Sequence, residues 1–154
     1  MSKYAFVTGG SRGIGRAVCV KLAQMGFCVI VNYVSNDAAA KETIRLIEEV
    51  GGRGELLKFD VADTDASVKA ITGWQESHPD NYVEVLVNNA GVRKDNLLLW
   101  LEPEDWFKVV STDLNSFYNV TRPFLQPMVS HRNGRSINMA SLSGLKGLPG
   151  QTNY

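Results

Sequence analysis

The sequence is poor in the residues that mark several kinds of protein. Only two of its 154 residues are cysteine, Cys19 and Cys28. Both lie in apolar surroundings, so they are expected to be buried thiols in a reducing compartment, not a disulfide. With just His78 and His131 to join them, neither a structural zinc site nor any other metal is expected. Net charge is also missing: 16 Lys and Arg balance 16 Asp and Glu. That removes the electrostatic reason to expect nucleic acid or an anionic membrane as partner. No apolar run approaches the ~20 residues of a membrane span. Met1-Ser2-Lys3-Tyr4 leads straight into a strand-like segment, without the layout of a signal peptide. The expectation is a soluble, cytoplasmic chain.

What is present is ordinary globular material, 44% hydrophobic and 21% charged, of a length that suits one domain over residues 1–154. Strand and helix patterns alternate along it. Tyr4 to Val7 reads as a short buried strand. Ile14, Ala17, Val18, Leu22 and Met25 then recur at helical spacing, with Gly26 where a C-terminal cap belongs. Phe27 to Val31 reads as a strand covered on both faces, running on to Asn32-Tyr33. A helix capped by Asn36 or Asp37 carries Ala40, Ile44 and Ile47 and ends at Gly51-Gly52. Leu56 to Phe59, Val83 to Val87 and Arg135 to Met139 read as strands three, four and five. A weaker helix covers Val68 to Trp74, and a long one runs from Pro103 towards Met128, bent near Pro123 and Pro127. Residues 141–154 read as loop. Alternating β and α elements predict an α/β fold: a Rossmann-type, doubly wound parallel sheet of five strands. Such sheets bind ligands at the carboxyl ends of their strands, and the glycine-rich and polar clusters fall at those ends.

The strongest of these clusters is Thr8-Gly9-Gly10-Ser11-Arg12-Gly13-Ile14-Gly15, between strand one and helix one. Gly9, Gly13 and Gly15 let the backbone turn tightly and approach a pyrophosphate, with the helix N-terminus offering free N–H groups. The same residues also spell Gly9-x-Ser11-x-Gly13, the nucleophile elbow of hydrolases. That reading needs a histidine in a loop after a late strand, and neither His78 nor His131 lies in one.

With Asn88-Asn89-Ala90-Gly91 after strand four, and Ser141 thirteen residues before Tyr154, the chain resembles a short-chain dehydrogenase/reductase. Asn32-Tyr33, Phe59-Asp60-Val61 and Pro149-Gly150-Gln151-Thr152-Asn153-Tyr154 resemble the 3-oxoacyl-[acyl-carrier-protein] reductases of bacterial fatty-acid synthesis. The resemblance implies NADP(H) as cofactor, held by Gly9, Ser11, Arg12, Gly13, Ile14 and Gly15. Asn32 would stand at the end of strand two. Asp60 and Val61 would frame the adenine, Asn88 would anchor the loop after strand four, and Ala90 and Gly91 would approach the cofactor. Ser141 would orient a substrate carbonyl, Ser143 would add a second hydrogen-bonding group, and Tyr154 would donate a proton. Arg132 would help dock an acidic acyl-carrier protein. A homo-oligomer, a tetramer in the family, is implied as well. Plainer readings stand beside these: Asp60 can cap a turn, Asn88 can satisfy backbone groups, and Arg132 can be a solvated loop residue.

Two positions depart from the family pattern. Asp113, in Thr112-Asp113-Leu114, takes the place of the family's catalytic asparagine, with Asn115 two residues later on a different helix face. The lysine of Tyr-x-x-x-Lys does not follow Tyr154. The expectation is therefore a C-terminally incomplete reductase of 3-oxoacyl thioesters. As 154 residues, it should have little activity, a free and fraying Tyr154, and an exposed, adhesive strand five bearing Ile137 and Met139. The alternatives are a non-catalytic nucleotide-binding or assembly module, and a reductase of another ketone or sugar. At the end of strand two the neutral Asn32-Tyr33, with Arg12 nearby, favours NADP(H) over NAD(H).

Overall fold

A computed structural model describes residues 3–154; Met1 and Ser2, on which the signal-peptide expectation partly rests, lie outside the described residues. Five parallel strands, β1 (Tyr4–Val7), β2 (Cys28–Tyr33), β3 (Arg53–Lys58), β4 (Val83–Asn88) and β5 (Arg135–Asn138), form one sheet in the order β3-β2-β1-β4-β5. Alternate residues of each strand face opposite ways, so the strands feed two cores. Ala5, Val7, Val29, Val31, Val85 and Val87 pack with Cys19, Leu22 and Ala23 of α1 (Gly13–Gln24) and Ile47 of α2 (Asp37–Glu49). Tyr4, Phe6, Ile30, Val83 and Leu86 pack on the other face with Ile71 and Trp74 of α3 (Thr64–Ser77) and Val120, Phe124 and Met128 of α5 (Ser116–Ser130). Both faces of the central strands are covered, which is why they read as unbroken apolar runs. No helix among the described residues is long and apolar enough to cross a membrane.

The helix ends follow local chemistry. Asn36 caps α2 through Ala39 N–H, and Asp63 caps α3 through Ala66 N–H, each at 2.9 Å. Gly26, at φ 90°, closes α1. Four expectations need correction. Helix α3 is longer than its apolar stripe, because Asp63 starts it four residues before that stripe begins. Strand β3 starts at Arg53, three residues before its apolar stretch at Leu56, and Gly54 lies close beneath α2, where a Cβ would lie 2.9 Å from Ile44 Cδ1. Residues 141–154 are not all loop, since α6 (Ser143–Lys146) forms one turn.

The fourth correction concerns the long helix, which divides at neither proline. It splits into α4 (Pro103–Val110) and α5 around a π-helical turn, Ser111–Asn115. Pro127 lacks the N–H that would bond the Pro123 carbonyl four residues back. Gln75 Nε2 of α3 donates to that carbonyl instead, at 3.1 Å, so α5 passes both prolines intact. Strand β5 is an edge, as the strand order requires, and Ile137 and Met139 are exposed. Phe124→Ala should cost about 3–5 kcal/mol by emptying the α3–α5 core, and Gln75→Ala about 1 kcal/mol by orphaning the Pro123 carbonyl. Urea denaturation measures both, and equal losses would contradict this ranking.

Candidate functional site

The sheet order reverses between β1 and β4, and the crevice beyond their carboxyl ends is the candidate site. Its floor is the turn from β1 into α1. Gly9 and Gly13 hold left-handed φ values of 62° and 55°, which side chains disfavour. At Gly15 a Cβ would lie 2.3 Å from the Gly9 carbonyl oxygen, so helix and turn touch only because that residue is glycine. Arg16 secures the turn from behind: its NH2 donates to the carbonyls of Ser11 (2.6 Å) and Ala39 (3.0 Å).

The opposite wall is the segment after β4. Thr8 Oγ1 accepts from the N–H groups of Asn89 (2.8 Å) and Ala90 (2.9 Å), and Asn89 Nδ2 donates back to the carbonyls of Thr8 (2.9 Å) and Gly9 (3.3 Å). Asn89, not Asn88, is thus the residue that anchors this segment to the glycine turn. Asn88 faces elsewhere: its Nδ2 donates to Thr121 Oγ1 and Asn138 Oδ1, tying β4 to α5 and β5. Asn88 is the last residue of β4 and Asn89 the first beyond it, so adjacent side chains take opposite directions and separate roles.

Between these walls lies a cavity of about 640 Å³. Of the expected cofactor residues, Gly9, Ser11, Arg12, Gly13, Ile14, Gly15, Asn32, Asp60, Val61, Ala90 and Gly91 line it, joined from the α4 side by Thr112 and by Lys108, which no motif signalled. Asn32 shapes the cavity without offering it a free donor. It is buried, its Nδ2 donates to the carbonyls of Leu57 and Phe59, and its Oδ1 accepts the Gly9 N–H at 3.3 Å. Asp60 does cap a turn, through Ala62 N–H, and also lies 3.6 Å from Lys108 Nζ.

At the end of β2 the one nearby carboxylate is occupied. Asp37 Oδ1 accepts from Tyr33 OH at 2.8 Å and from Lys58 Nζ at 3.0 Å. The Lys58 ammonium, then the Tyr33 hydroxyl, hold Asp37 below its ordinary carboxylate range, and the same bond raises the Tyr33 phenol. Arg12, exposed at the mouth of the cavity, has no ion-pair partner among the described residues.

Asp113 lies in the π-helical turn, and its Oδ1 accepts the Val92 N–H at 2.8 Å. It therefore fixes the segment after β4 from the α4 side, whereas Asn115 is exposed and takes no part. Ser141 follows β5, and its Oγ accepts the N–H of Ser143 at 3.2 Å. Tyr154 is 40% exposed, whereas Asn153 beside it is buried and bonded to the Lys94 carbonyl. Neither Ser141 nor Tyr154 lines the cavity. Arg132 is not brought to the site either. At φ 51° it ends α5 just before β5, while Ser141 follows that strand, so the length of β5 separates them. The hydrolase reading fails on geometry. His78 stacks on Trp74 and packs on Tyr4, and His131 stacks on Tyr82, so both sit at the amino ends of strands, away from Ser11.

Burial raises the Asp113 carboxyl above its ordinary value, opposed by the Val92 N–H. The folded chain then holds that proton more tightly than the unfolded chain. Its contribution to stability is full below the unfolded pKa and is lost as pH rises through the raised folded one. Asp113→Asn keeps an oxygen for Val92 N–H and removes the titration. It should raise stability at neutral pH and leave it unchanged in acid. Urea midpoints at the two pH values test this, and an equal shift at both would refute it.

Known proteins share this arrangement. Residues 3–154 match the family described as short chain dehydrogenase. The 3-oxoacyl-[acyl-carrier-protein] reductase FabG of Aggregatibacter actinomycetemcomitans is 39% identical over 155 residues, covering 100% of this chain and 63% of its own length. The acetoacetyl-CoA reductase of Rhizobium meliloti is 40% identical over 154 residues, covering 100% of this chain and 61% of its own. The chain thus spans a little over three fifths of these relatives. Among solved structures, a metagenomic short-chain oxidoreductase in complex with NADP superposes at TM-score 0.92 with 31% identity, covering 99% of this chain and 68% of that one. A putative gluconate dehydrogenase from Agrobacterium tumefaciens does so at 0.92 with 30% identity, covering 99% and 59%. Matched by that family over residues 3–154, and at 39–40% identity by reductases over its whole length, the chain belongs to the short chain dehydrogenases.

Proposed function

We propose that the protein is an NADP(H)-dependent reductase that converts 3-oxoacyl thioesters to 3-hydroxyacyl thioesters. The observation that carries the cofactor choice is the end of β2, where Asp37 is held by Tyr33 and Lys58 while Arg12 stays unpaired at the cavity. A free carboxylate there would suit a ribose 2′-OH; a free guanidinium suits a 2′-phosphate. The cleft fits a dinucleotide on its own features. Gly15 admits no Cβ, two glycines are left-handed, α1 opens on the cavity with no acidic residue in its first turn, and Ile14 presents a 63% exposed apolar side chain there. The α1 N–H groups and Arg12 would hold phosphates, and Val61 would contact the adenine. When bound, a nicotinamide dinucleotide supplies the hydride.

The chain's own residues do the rest. The Ser141 hydroxyl orients the substrate carbonyl, and Tyr154 gives its phenolic proton to the oxygen as negative charge develops there. Asp113 keeps the segment after β4 in place through Val92. The thioester substrate class is supported by the reductase names of the relatives and by the resemblance of the Pro149 to Tyr154 segment to such reductases. A cytoplasmic setting in fatty-acid synthesis fits the same reading. Association is part of it as well: Phe107, Phe117, Tyr118, Leu125 and Val129 of α4 and α5 are exposed apolar residues that a second copy would cover. Arg132, at the far end of β5, would meet an acidic carrier serving the cleft of another copy, and Arg132→Glu should then weaken carrier binding more than binding of a free thioester.

The test is oxidation of NADPH by the full chain with a 3-oxoacyl thioester as acceptor. Arg12→Ala should weaken NADPH binding by about tenfold, as loss of one charge-assisted hydrogen bond predicts, while NADH binding changes little. Equal loss for both cofactors would remove Arg12 from the specificity account.

A further inference from the structure

Asn153 immediately precedes the proposed proton donor, and the two differ sharply in burial: 8% exposed for Asn153 against 40% for Tyr154. Asn153 Nδ2 donates to two carbonyls, that of Lys94 at 3.2 Å and that of Asp105 at 3.4 Å. Both neighbours are acceptors, which fixes the orientation of the amide. Lys94 belongs to the segment after β4 and Asp105 to the first turn of α4, and the two side chains are themselves 3.4 Å apart as an ion pair. The amide therefore enters a corner that is already closed.

The residues before it are held to the same segment. The Asn96 N–H donates to the Gly150 carbonyl at 2.8 Å, Gln151 pairs with Asn96 as a parallel bridge, and Gln151 Nε2 donates to Asp95 Oδ2 at 3.0 Å. Gly150, at φ 82°, makes the turn that brings the chain in. Tyr154 has less of its own. Its N–H donates to the Gln151 carbonyl at 3.2 Å, and its phenol enters no side-chain hydrogen bond. The position of that phenol is inherited from the buried amide one residue back.

We propose that Asn153 is the positioning residue for Tyr154, a side-chain clamp that docks the tyrosine segment on the Lys94–Asp105 corner. This rests on reading Tyr154 as the proton donor. A proton donor must lie within hydrogen-bond reach of its acceptor, and a displacement of about 1 Å can cost up to about 100-fold in rate. An alanine at 153 leaves two carbonyls without their donor. An aspartate keeps the shape but sets a carboxylate against those same carbonyls.

The experiment compares Asn153→Ala and Asn153→Asp with the unaltered full chain. In both variants kcat for the thioester should fall about 10- to 100-fold, with NADPH binding within about twofold, because the glycine turn is untouched. The aspartate should do no better than the alanine. Amide hydrogen exchange at Asn96 and Tyr154 should quicken in both. Wild-type kcat in Asn153→Asp would overturn the donor role, and unchanged exchange would overturn the clamp. Parallel loss of cofactor binding would mark general unfolding and also overturn the proposal. A wild-type chain without turnover, whose variants still exchange faster, would instead overturn the proposed reduction and retain the docking.

Discussion

The Gly9 carbonyl and the first turn of α1 approach so closely that a single methyl group at Gly15 would lie 2.3 Å from the oxygen and 2.6 Å from Asn89 Nδ2. Much of the site depends on that contact. It lets α1 begin directly beneath the turn, so that its free N–H groups open on the cavity. It also brings Gly9 within reach of Asn89, which bonds the carbonyls of Thr8 and Gly9 and so locks the segment after β4 against β1. The Thr8 hydroxyl completes the lock by accepting two successive N–H groups from that segment. A β-branched or larger residue at position 15 would push the helix out, separate the two walls and leave these polar groups unpaired in a largely buried place, where each costs about 1–3 kcal/mol.

From that contact the α4 side follows. The segment after β4 leaves the sheet without strand partners, so side chains must satisfy its backbone. Asp113 does this for Val92, and the π-helical turn is what brings Asp113 there. A π turn widens the helix by one residue and is found often at functional sites. Here it re-aims the helix between Val110 and Ser116, turning Thr112 and Asp113 towards the cleft and Asn115 outward. An amide at 113 could accept the Val92 N–H as well as the carboxylate does. What the acid adds is a titratable charge in a half-buried position, which is why burial lifts its pKa.

Much of this was legible in the sequence, and the limits have physical causes. The parallel sheet and its buried strands follow from alternation, because apolar periodicity records burial directly, and eleven residues of the cavity lining follow from the glycine pattern together with the family resemblance. Elements whose form depends on a distant partner were not legible. Strand β3 runs back past its apolar residues to Arg53, with Gly54 close beneath Ile44. The prolines of α5 look like a bend until Gln75 supplies the missing donor. Lys108 belongs to no local motif and reaches the cavity only through the α4 geometry. Nine positions of sequence separate Arg132 from Ser141, yet β5 lies between them and puts them at opposite ends of the sheet.

The proposed catalytic residues show where sequence spacing stops being informative. Ser141 and Tyr154 stand thirteen residues apart, yet each is positioned by different elements: Ser141 by the end of β5, and Tyr154 by the segment after β4 through Asn153 and Gln151. Residues 91–97 are thus held from three directions, by Thr8 and Asn89 at their start, by Asp113 at Val92, and by the 150–153 stretch at Lys94 and Asn96. The cofactor wall and the tyrosine support are one continuous stretch of backbone. Its conformation rests on side-chain hydroxyls, amides and carboxylates and on one isolated backbone bridge, from Asn96 to Gln151. Bonds of this kind are each worth about 1 kcal/mol net, so no one of them sets the shape alone. A change at either end of 91–97 therefore has a direct mechanical path to the other, and the Thr8–Asn89 lock and the Asn153 clamp act on the same piece of chain.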